Sequence, residues 1–301
     1  MQARLLGEPR LTQDGAEVAV TPTCLRLLAF VLTRPGRRAT KAQLVDALED
    51  DATPESSARH RLNTAVWRLR GALEDAGAGR DTVVVSTATG LAIAPDCRLE
   101  VDIAEFDGAC RLPRPVSAWS RDDAAQVERG LALYAGEFME GVYDEWALAE
   151  RGRLAEVHVS ALLRMAQWHE RLGEMDAALH YVEQAAATEP LREDLQRMLM
   201  RQYRYAGIPE LAVQHYEGFR ALLATELGVD PLPETREAGL GPDARADRRA
   251  GDHAESAPGR ALREALEELE RTREQLRQIT SHVEHSITTL RIGLGRVVRQ
   301  R

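Results

Sequence analysis

The sequence predicts a mainly α-helical protein that begins with small β-sheets. Three observations support this prediction. Residues 1–20 alternate apolar and polar side chains around Asp14–Gly15, as a small antiparallel sheet would. Apolar residues then recur at helical spacing through most of the chain, and a leucine-rich stripe steps by three and four residues from Leu262 to Val297. The length of 301 residues is sufficient for two compact domains.

Composition limits the class of protein. The chain carries 44% hydrophobic and 29% charged residues and a formal net charge of -9, so any contact with nucleic acid has to be a local basic patch. No apolar run approaches the roughly 20 residues of a membrane span, and MQARLLGEPRLTQ lacks a signal-peptide core. We therefore expect a cytoplasmic protein with no membrane partner. Its three separated cysteines are expected to be reduced thiols, with Cys24 buried.

Two helices are predicted after the first strands. Thr21–Pro22 supplies a cap and a first-turn proline for a buried helix that Pro35–Gly36 ends. Thr40–Gln43 reads as a capping box, in which the threonine and glutamine side chains satisfy each other's backbone N–H groups. The short helix that it opens runs to about Leu48.

A third helix, predicted from Thr53–Pro54 to Gly77, contains SARHRLNTAVWRLRGAL. One of its faces is apolar and packs on a core, through Leu62, Val66, Leu69 and Leu73. The opposite face is basic and polar, with Ser57, His60, Arg61, Thr64, Trp67 and Arg68 at its centre and Arg59, Asn63 and Arg70 on its flanks. Taken alone, this face fits a solvated surface and a nucleic-acid surface equally well.

The next segment, DTVVVSTATGLAIAP, predicts two strands around Thr89–Gly90, a hairpin of the size of a wing. Strands, three helices and a hairpin in this order define a winged helix-turn-helix. In that fold the second helix crosses the DNA backbone and the third enters the major groove. The basic helix is the third, so its position and its charge both favour binding to double-stranded DNA.

Long helices follow from Val101. Two segments share a glycine followed by an Ala-rich apolar helix, and their equivalent positions lie 34 residues apart: Gly173 and Gly207, Ala178 and Ala212, and Met165 and Leu199. This spacing is the tetratricopeptide period. Helices expected near Ala124–Tyr134 and Glu145–Arg153 would cap this helical domain.

The C-terminal part is predicted to be a flexible linker followed by a coiled-coil helix. Residues 236–258 are short, polar and rich in glycine and proline, which predicts a flexible linker. Residues 259–301 carry the heptad positions of a coiled-coil helix, which predicts a homodimer: Leu262, Leu266, Leu269, Leu276, Val283, Ile287, Leu290, Leu294 and Val297. The alternative is that this stripe folds back onto the helical domain. The predicted domains are thus 1–97, 98–235, the linker at 236–258 and the coiled coil at 259–301.

Four segments resemble the Streptomyces antibiotic regulatory protein family: SARHRLNTAVWRLRGAL, VDIAEFDGAC at Val101–Cys110, EPLREDLQRMLMRQYRYAG at Glu189–Gly207, and ATELGVDPLPET at Ala224–Thr235. Members join an OmpR-type winged helix to a bacterial transcriptional activator domain of tetratricopeptide-like helices. The resemblance implies binding to direct repeats upstream of promoters and recruitment of RNA polymerase holoenzyme. The positions that match the family's DNA-contacting pattern are Thr40, Lys41, Arg59, His60, Thr64, Arg68 and Arg70. Thr87 and Thr89 on the wing are further candidates for DNA contact.

This chain departs from the family pattern at Trp67, where a small polar residue is expected, and in a wing without basic or aromatic residues. Two interpretations of Trp67 stay open: an exposed ring that contacts a thymine methyl or a sugar, or a ring folded over the adjacent helix as part of the core. Arg61 and Arg68 are expected to point furthest from the core and to contact bases or central phosphates. Arg59 and Arg70 are expected to bind phosphates or pair with neighbouring Glu and Asp.

Catalysis and cofactors are not predicted. The sequence shows no phosphate-cradling glycine loop, no nucleophile elbow and no spaced carboxylate pair. His282 and His285 lie three residues apart without a third ligand nearby, which favours a solvated face over a metal site. The rival function is that of a protein-interaction adaptor, in which the helical domain and the coiled coil act while a degenerate winged helix docks proteins.

Overall fold

A computed structural model describes residues 1–48, 55–79 and 83–241, with the side chains of residues 55–59 outside that description. The predicted coiled coil, the linker from residue 242 and the predicted helix start at Thr53–Pro54 lie outside the described residues. Within the described ranges, none of the helices combines the length and the apolar character needed to cross a bilayer.

In the described part of the chain, seven short strands form two sheets: β1 (Gln2–Arg4), β2 (Arg10–Gln13), β3 (Ala16–Glu17), β4 (Arg38–Thr40), β5 (Val84–Ser86), β6 (Gly90–Ile93) and β7 (Glu100–Val101). The first sheet has the order β3-β2-β1-β7, and the second has the order β4-β6-β5. Asp14 and Gly15, at φ 51° and 86°, make the predicted turn between β2 and β3. The sequence did not predict β7, which pairs in parallel with β1.

Ten helices carry the rest of the described chain: α1 (Pro22–Thr33), α2 (Lys41–Asp46), α3 (Glu55–Asp75), α4 (Asp102–Cys110), α5 (Arg121–Leu131), α6 (Glu145–Leu172), α7 (Met175–Thr188), α8 (Glu193–Tyr205), α9 (Pro209–Glu226) and α10 (Pro233–Leu240). The starts of α1 and α2 follow the predicted capping chemistry. The Thr21 hydroxyl accepts a hydrogen bond from the Cys24 backbone N–H at 3.4 Å. The capping box of α2 is confirmed, because the Gln43 N–H donates to Thr40 Oγ1 and the Thr40 N–H donates to Gln43 Oε1.

Helix α3 packs on α1 through its apolar face. Leu62, Leu69 and Leu73 are buried as predicted, and Ala65 joins them. The buried Cys24 thiol of α1 donates to the Ala65 carbonyl at 3.3 Å, which fixes the two helices side by side. The opposite face of α3 is therefore turned away from the core.

The wing turn lies slightly before its predicted place. Residues Thr87, Ala88 and Thr89 connect β5 to β6, and Gly90 is the first residue of β6 rather than part of the turn. A Cβ at Gly90 would lie 1.9 Å from the Ala39 carbonyl oxygen. The glycine is thus required by the close approach of β4 and not by the turn itself.

The helical domain consists of α4 to α10, and two helical hairpins, α6 with α7 and α8 with α9, dominate it. Gly173 and Gly207 end the first helix of each hairpin with φ 76° and 80°. The other equivalent positions of the repeat are buried in both hairpins: Ala178 and Ala212, and Met165 and Leu199. The predicted 34-residue correspondence is confirmed at these six residues.

Two predictions for this domain are wrong. Glu145–Arg153 is not a separate capping helix, because α6 continues without interruption to Leu172. Residues 236–240 do not begin a flexible linker, because they complete α10. Arg204 donates to the Ala238 and Gly239 carbonyls at 2.8 and 2.6 Å, and a Cβ at Gly239 would lie 2.4 Å from that of Tyr216. Gly239 is a packing residue, whereas composition alone suggested a loop.

One hydrophobic core crosses the predicted domain boundary at residue 97. It extends from Ala3 in the first sheet through α1 and α3 to Trp168 in α6. Polar contacts reinforce it: Asp102 Oδ2 accepts from the Leu5 and Leu6 N–H groups at 2.7 and 2.9 Å, and Arg26 of α1 forms an ion pair with Asp144 before α6. We call this set of contacts the interdomain joint. The winged helix and the helical domain form one compact unit, residues 1–239.

Candidate nucleic-acid interface

The solvent-facing side of α3 carries the residues expected to contact DNA. His60, Asn63, Trp67 and Arg68 are exposed, and Thr64 is half-buried between them. The side chain of Trp67 is 67% exposed, which settles the open alternative in favour of a ring in solvent. Asn63 was assigned only to the flank, yet its spacing of three from His60 and four from Trp67 places it on the same exposed face. The side chain of Arg59 lies outside the described residues.

The arginines of α3 differ in what they contact. Arg68 is exposed and makes no hydrogen bond or ion pair within the described part of the chain. The prediction that Arg61 points away from the core is wrong: its side chain is half-buried, and its Nε and Nη2 atoms are shielded from solvent. Of these two, Arg68 is therefore the guanidinium that an incoming base or phosphate can reach.

Arg70 joins α3 to the wing. Its Nε and Nη2 atoms donate to the Val84 carbonyl at 3.3 and 3.2 Å, and Nη2 also donates to Ser86 Oγ at 3.1 Å. These bonds hold strand β5 against the helix. The sequence expectation for Arg70 named phosphates or acidic neighbours as partners and missed the wing backbone, because no local pattern shows which strand will pass beside a helix.

The wing tip also contacts the start of α2. The Lys41 backbone N–H donates to the Thr89 carbonyl at 2.8 Å, and the side chains of Lys41, Thr87 and Thr89 are exposed. Thr87 Oγ1 accepts from the Gly90 N–H at 3.0 Å. Thr40 uses its hydroxyl in the capping box, so its role in the structure is that of a cap. These contacts bring α2, α3 and the wing tip together.

The surface has no metal-binding character. Among the residues that the structure describes, no three His, Cys, Asp or Glu side chains come together in a group that could hold a metal ion. The chemistry that this face offers is hydrogen-bond donation from Arg68, Asn63 and Lys41, one exposed aromatic ring and several hydroxyl groups.

A winged helix with an exposed basic third helix, fused to helical hairpins through a shared core, defines the class of DNA-binding regulators with a helical effector domain. Two family models match the chain: the C-terminal domain of transcriptional regulatory proteins over residues 15–91, and the bacterial transcriptional activator domain over residues 101–240. The chain belongs to the Streptomyces antibiotic regulatory protein family of transcriptional regulators.

Individual relatives agree with this assignment. Regulatory protein AfsR of Streptomyces coelicolor is 33% identical over 236 residues, which cover 77% of this chain and 23% of AfsR. The chain thus spans less than a quarter of that protein's length. Transcriptional regulatory protein MoaR1 of Mycobacterium bovis is 27% identical over 246 residues, covering 78% of this chain and 77% of MoaR1.

A solved structure shares the fold. Mycobacterium tuberculosis EmbR, in complex with a low affinity phosphopeptide, superimposes with a TM-score of 0.59 at 23% sequence identity. The match covers 85% of this chain and 73% of the EmbR chain.

Proposed function

We propose that this chain is a sequence-specific DNA-binding transcription activator that binds direct repeats at promoters and recruits RNA polymerase holoenzyme. The observation that carries the proposal is the two-sided character of α3. Its apolar side is locked onto α1, while its other side exposes Arg68, Asn63 and Trp67 to solvent. An exposed polar face on the third helix of a winged helix is the face that enters the major groove.

Each exposed side chain suits a different base edge. A guanidinium such as that of Arg68 can donate two hydrogen bonds to guanine O6 and N7, and the Asn63 amide can pair with adenine N6 and N7. The Trp67 ring offers an apolar surface for a thymine methyl group. Good bidentate pairs contribute about 1 to 3 kcal/mol of discrimination each, so these residues are sufficient for sequence preference.

Phosphate contacts would flank this face. The exposed Lys41 ammonium can approach one strand as a point charge, and the hydroxyls of Thr87 and Thr89 can donate to the other side of the groove. Arg59, His60 and Thr64 remain proposed contacts on α3. The wing tip carries no charge, so we expect it to position the protein rather than to supply much of the affinity.

The interdomain joint supports the second half of the proposal. Because one core and several hydrogen bonds fuse the winged helix to the helical domain, binding of α3 to DNA would hold the helical domain in a fixed place beside the promoter. A fixed surface is what a polymerase contact requires. Exposed apolar side chains on that domain, Tyr143 and Tyr205 among them, are available to such a partner.

We also propose that the heptads of residues 259–301 make the full chain a homodimer. A linker of 17 residues (242–258) that behaves as a random coil would reach roughly 20 to 25 Å, which allows two winged helices to bind adjacent repeats. Light scattering compares the full chain with a truncation after Pro258. The proposal requires a dimer for the full chain and a monomer for the truncation. Monomers in both cases contradict it.

DNA binding is tested by selection and salt titration. The full chain is used to select sites from a random duplex library, and anisotropy then measures affinity for the selected site as salt rises. The expected result is an enriched direct repeat and a log–log slope of several units, since each neutralised phosphate adds about 0.9. No enrichment, or binding insensitive to salt, favours the protein-interaction adaptor, which the uncharged wing tip would suit.

Recruitment is tested by transcription in vitro from a promoter that carries the selected repeats. We expect the full chain to increase transcript yield severalfold and to do so only when both repeats are present. Arg68→Ala serves as a folded control that should not activate. Equal transcription with and without the chain would contradict recruitment while leaving DNA binding intact.

A further inference from the structure

A cleft of about 1100 Å³ opens between the winged helix and the start of α6. Arg26 and Phe30, one turn apart on α1, line one wall together with Arg34, the residue directly after the helix. Trp146, in the first turn of α6, lines the facing wall. The cleft is on a different helix from the DNA-facing residues of α3, and none of its lining residues belongs to that face.

Phe30 is the centre of this cleft. The Arg34 guanidinium lies over the Phe30 ring, 4.3 Å from its centroid, and the Trp146 ring meets Phe30 edge-on at 5.2 Å and 82°. Arg26, one turn earlier on α1, pairs through Nη2 with Asp144. Two guanidinium groups and one indole are thus fixed around a single buried ring.

Three N–H donors in this cluster have no acceptor. Arg26 Nε, Arg34 Nε and Trp146 Nε1 are all buried, and none has a hydrogen-bond partner among the described residues. A buried donor without an acceptor is unfavourable, and most such groups in proteins are satisfied by a protein group, water or a ligand. Arg26, Arg34 and Trp146 all line this cleft, and the described residues provide no acceptor for these three N–H groups, which points to an acceptor from outside the chain.

The charges in the cleft define the kind of acceptor. Arg34 forms no ion pair within the described residues, whereas Arg26 is neutralised by Asp144. Asp46 and Glu145 are exposed and line the same cleft. These carboxylates, in a chain of net charge -9, disfavour a polyanion such as DNA, while a small anion can contact the buried donors.

We propose that this cleft binds a small metabolite through an oxyanion head, a carboxylate or a phosphate, that accepts hydrogen bonds from Arg34 Nε, Trp146 Nε1 and Arg26 Nε. Such a ligand contacts α1 of the winged helix and α6 of the helical domain together. Because it binds residues from both, it stabilises their arrangement, and the cleft is an effector site for the regulator.

Isothermal titration of the full chain with pyrophosphate and with citrate tests the site, against sodium chloride at matched ionic strength. Two variants remove donors while keeping most of the packing: Trp146→Phe keeps an aromatic ring against Phe30 but loses the N–H, and Arg34→Met keeps an unbranched aliphatic stem but loses every N–H and the charge. Trp119→Phe is the matched control, because the Trp119 indole donates to the Arg114 carbonyl in another part of the molecule. Arg68→Ala controls for anions that bind the DNA-facing surface.

We expect the wild-type chain to bind one of the two probes, and each donor variant to weaken that binding about tenfold or more. Both controls should bind as the wild type does, and circular dichroism should show every variant folded. Preference for pyrophosphate over citrate identifies a phosphate head, and the reverse identifies a carboxylate. The proposal is overturned if the wild type binds neither probe or if the donor variants bind as tightly as the wild type. It is also overturned if Arg68→Ala loses binding.

Discussion

The exposed face of α3 and the interdomain joint use the same residue type in opposite ways. Arg68 on α3 has no partner within the described residues, whereas Arg151 in the helical domain donates to the carbonyls of Phe138, Met139 and Val142 at 2.8 to 3.0 Å. That carbonyl-rich loop in turn contacts the residues after β1, since the Met139 N–H donates to the Leu5 carbonyl at 2.8 Å. Arg151 thus stabilises the fold near the interdomain joint, whereas the guanidinium of Arg68 is exposed and available to a ligand.

This difference predicts separable effects of substitution. Changes at the joint, or where backbones approach closely, should lower the free energy of unfolding. Changes on the exposed face should alter DNA affinity while the fold stays intact. Residue type alone does not distinguish the two groups, but the number of internal partners does.

The largest loss of stability is expected for Gly90→Val in the wing. Its side chain would begin 1.9 Å from the Ala39 carbonyl oxygen, in the backbone of the neighbouring strand. We expect a cost of about 4 kcal/mol or more, measured by urea denaturation. The control is Gly71→Ala in α3, where a Cβ meets nothing within 4 Å and the helix should gain about 0.5 to 1 kcal/mol. Equal stabilities for the two variants would contradict this account of the wing.

Asp102→Ala should have the next largest effect, because it breaks the joint. The carboxylate accepts from the backbone N–H groups of Leu5, Leu6 and Ile103, and its loss leaves donors unsatisfied at about 1 kcal/mol or more each. We expect a total near 3 kcal/mol by the same denaturation assay. Asp122→Ala, on the solvent-exposed side of α5, should cost at most about 0.5 kcal/mol. An Asp102→Ala variant as stable as that control would show that the joint contributes little.

Gly207→Val tests the repeat turn. Gly207 has φ 80° and no atom within 4 Å of a Cβ, so the expected cost of about 2 kcal/mol is a backbone cost alone. Asn tolerates this conformation better, and Gly207→Asn should recover about half of the loss. If the Gly207→Val and Gly207→Asn variants melt at the same temperature, the left-handed conformation at Gly207 does not contribute to stability.

Buried His158 in α6 makes the stability of the fold depend on pH. Burial lowers the pKa of His158 to about 4 from its ordinary 6.5, and the ring stacks on Tyr134 at 3.9 Å between centroids. Between about pH 6.5 and pH 4, His158 binds a proton in the unfolded chain but stays neutral in the folded chain. Stability should therefore fall by about 1 kcal/mol between pH 7.5 and pH 5.5. The loss arises on acidification, since the folded pKa is depressed.

His158→Phe keeps a stacked ring without the titrating group. Urea denaturation is measured at pH 7.5 and at pH 5.5. Between these two pH values, the free energy of unfolding should fall by about 1 kcal/mol less in this variant than in the parent. His180→Phe, on the exposed side of α7, is the matched histidine-to-phenylalanine control, measured at the same two pH values. A His158→Phe variant that still loses the full amount of stability would assign the effect to other groups.

Local chemistry made part of this structure predictable. The capping box of α2, the proline start of α1 and the Asp14–Gly15 turn each depend on neighbours in sequence, and each was confirmed. The 34-residue repeat was also confirmed, because the sequence itself shows its period. On α3, helical spacing gave the buried face and the exposure of His60 and Arg68.

The failures have a common physical cause. Gly90 and Gly239 are required by backbone or ring atoms of distant elements, so composition assigned one to a turn and the other to a linker. Arg61 was expected in solvent but is half-buried, and Arg70 is bonded to the wing strand. A helical wheel gives the direction of a side chain and says nothing about what lies beside it.

Arg68 is expected to contact DNA bases, while its neighbour Arg70 holds the wing against α3. Fluorescence anisotropy on the selected site should show a loss of about tenfold or more in affinity for Arg68→Ala, with the free energy of unfolding unchanged within about 0.5 kcal/mol. Arg70→Ala should lower stability by about 1 kcal/mol through its lost wing bonds. Arg129→Ala, on the solvent-exposed side of α5, should change neither the affinity for DNA nor the free energy of unfolding. A folded Arg68→Ala variant that binds the site as tightly as the parent would contradict the claim.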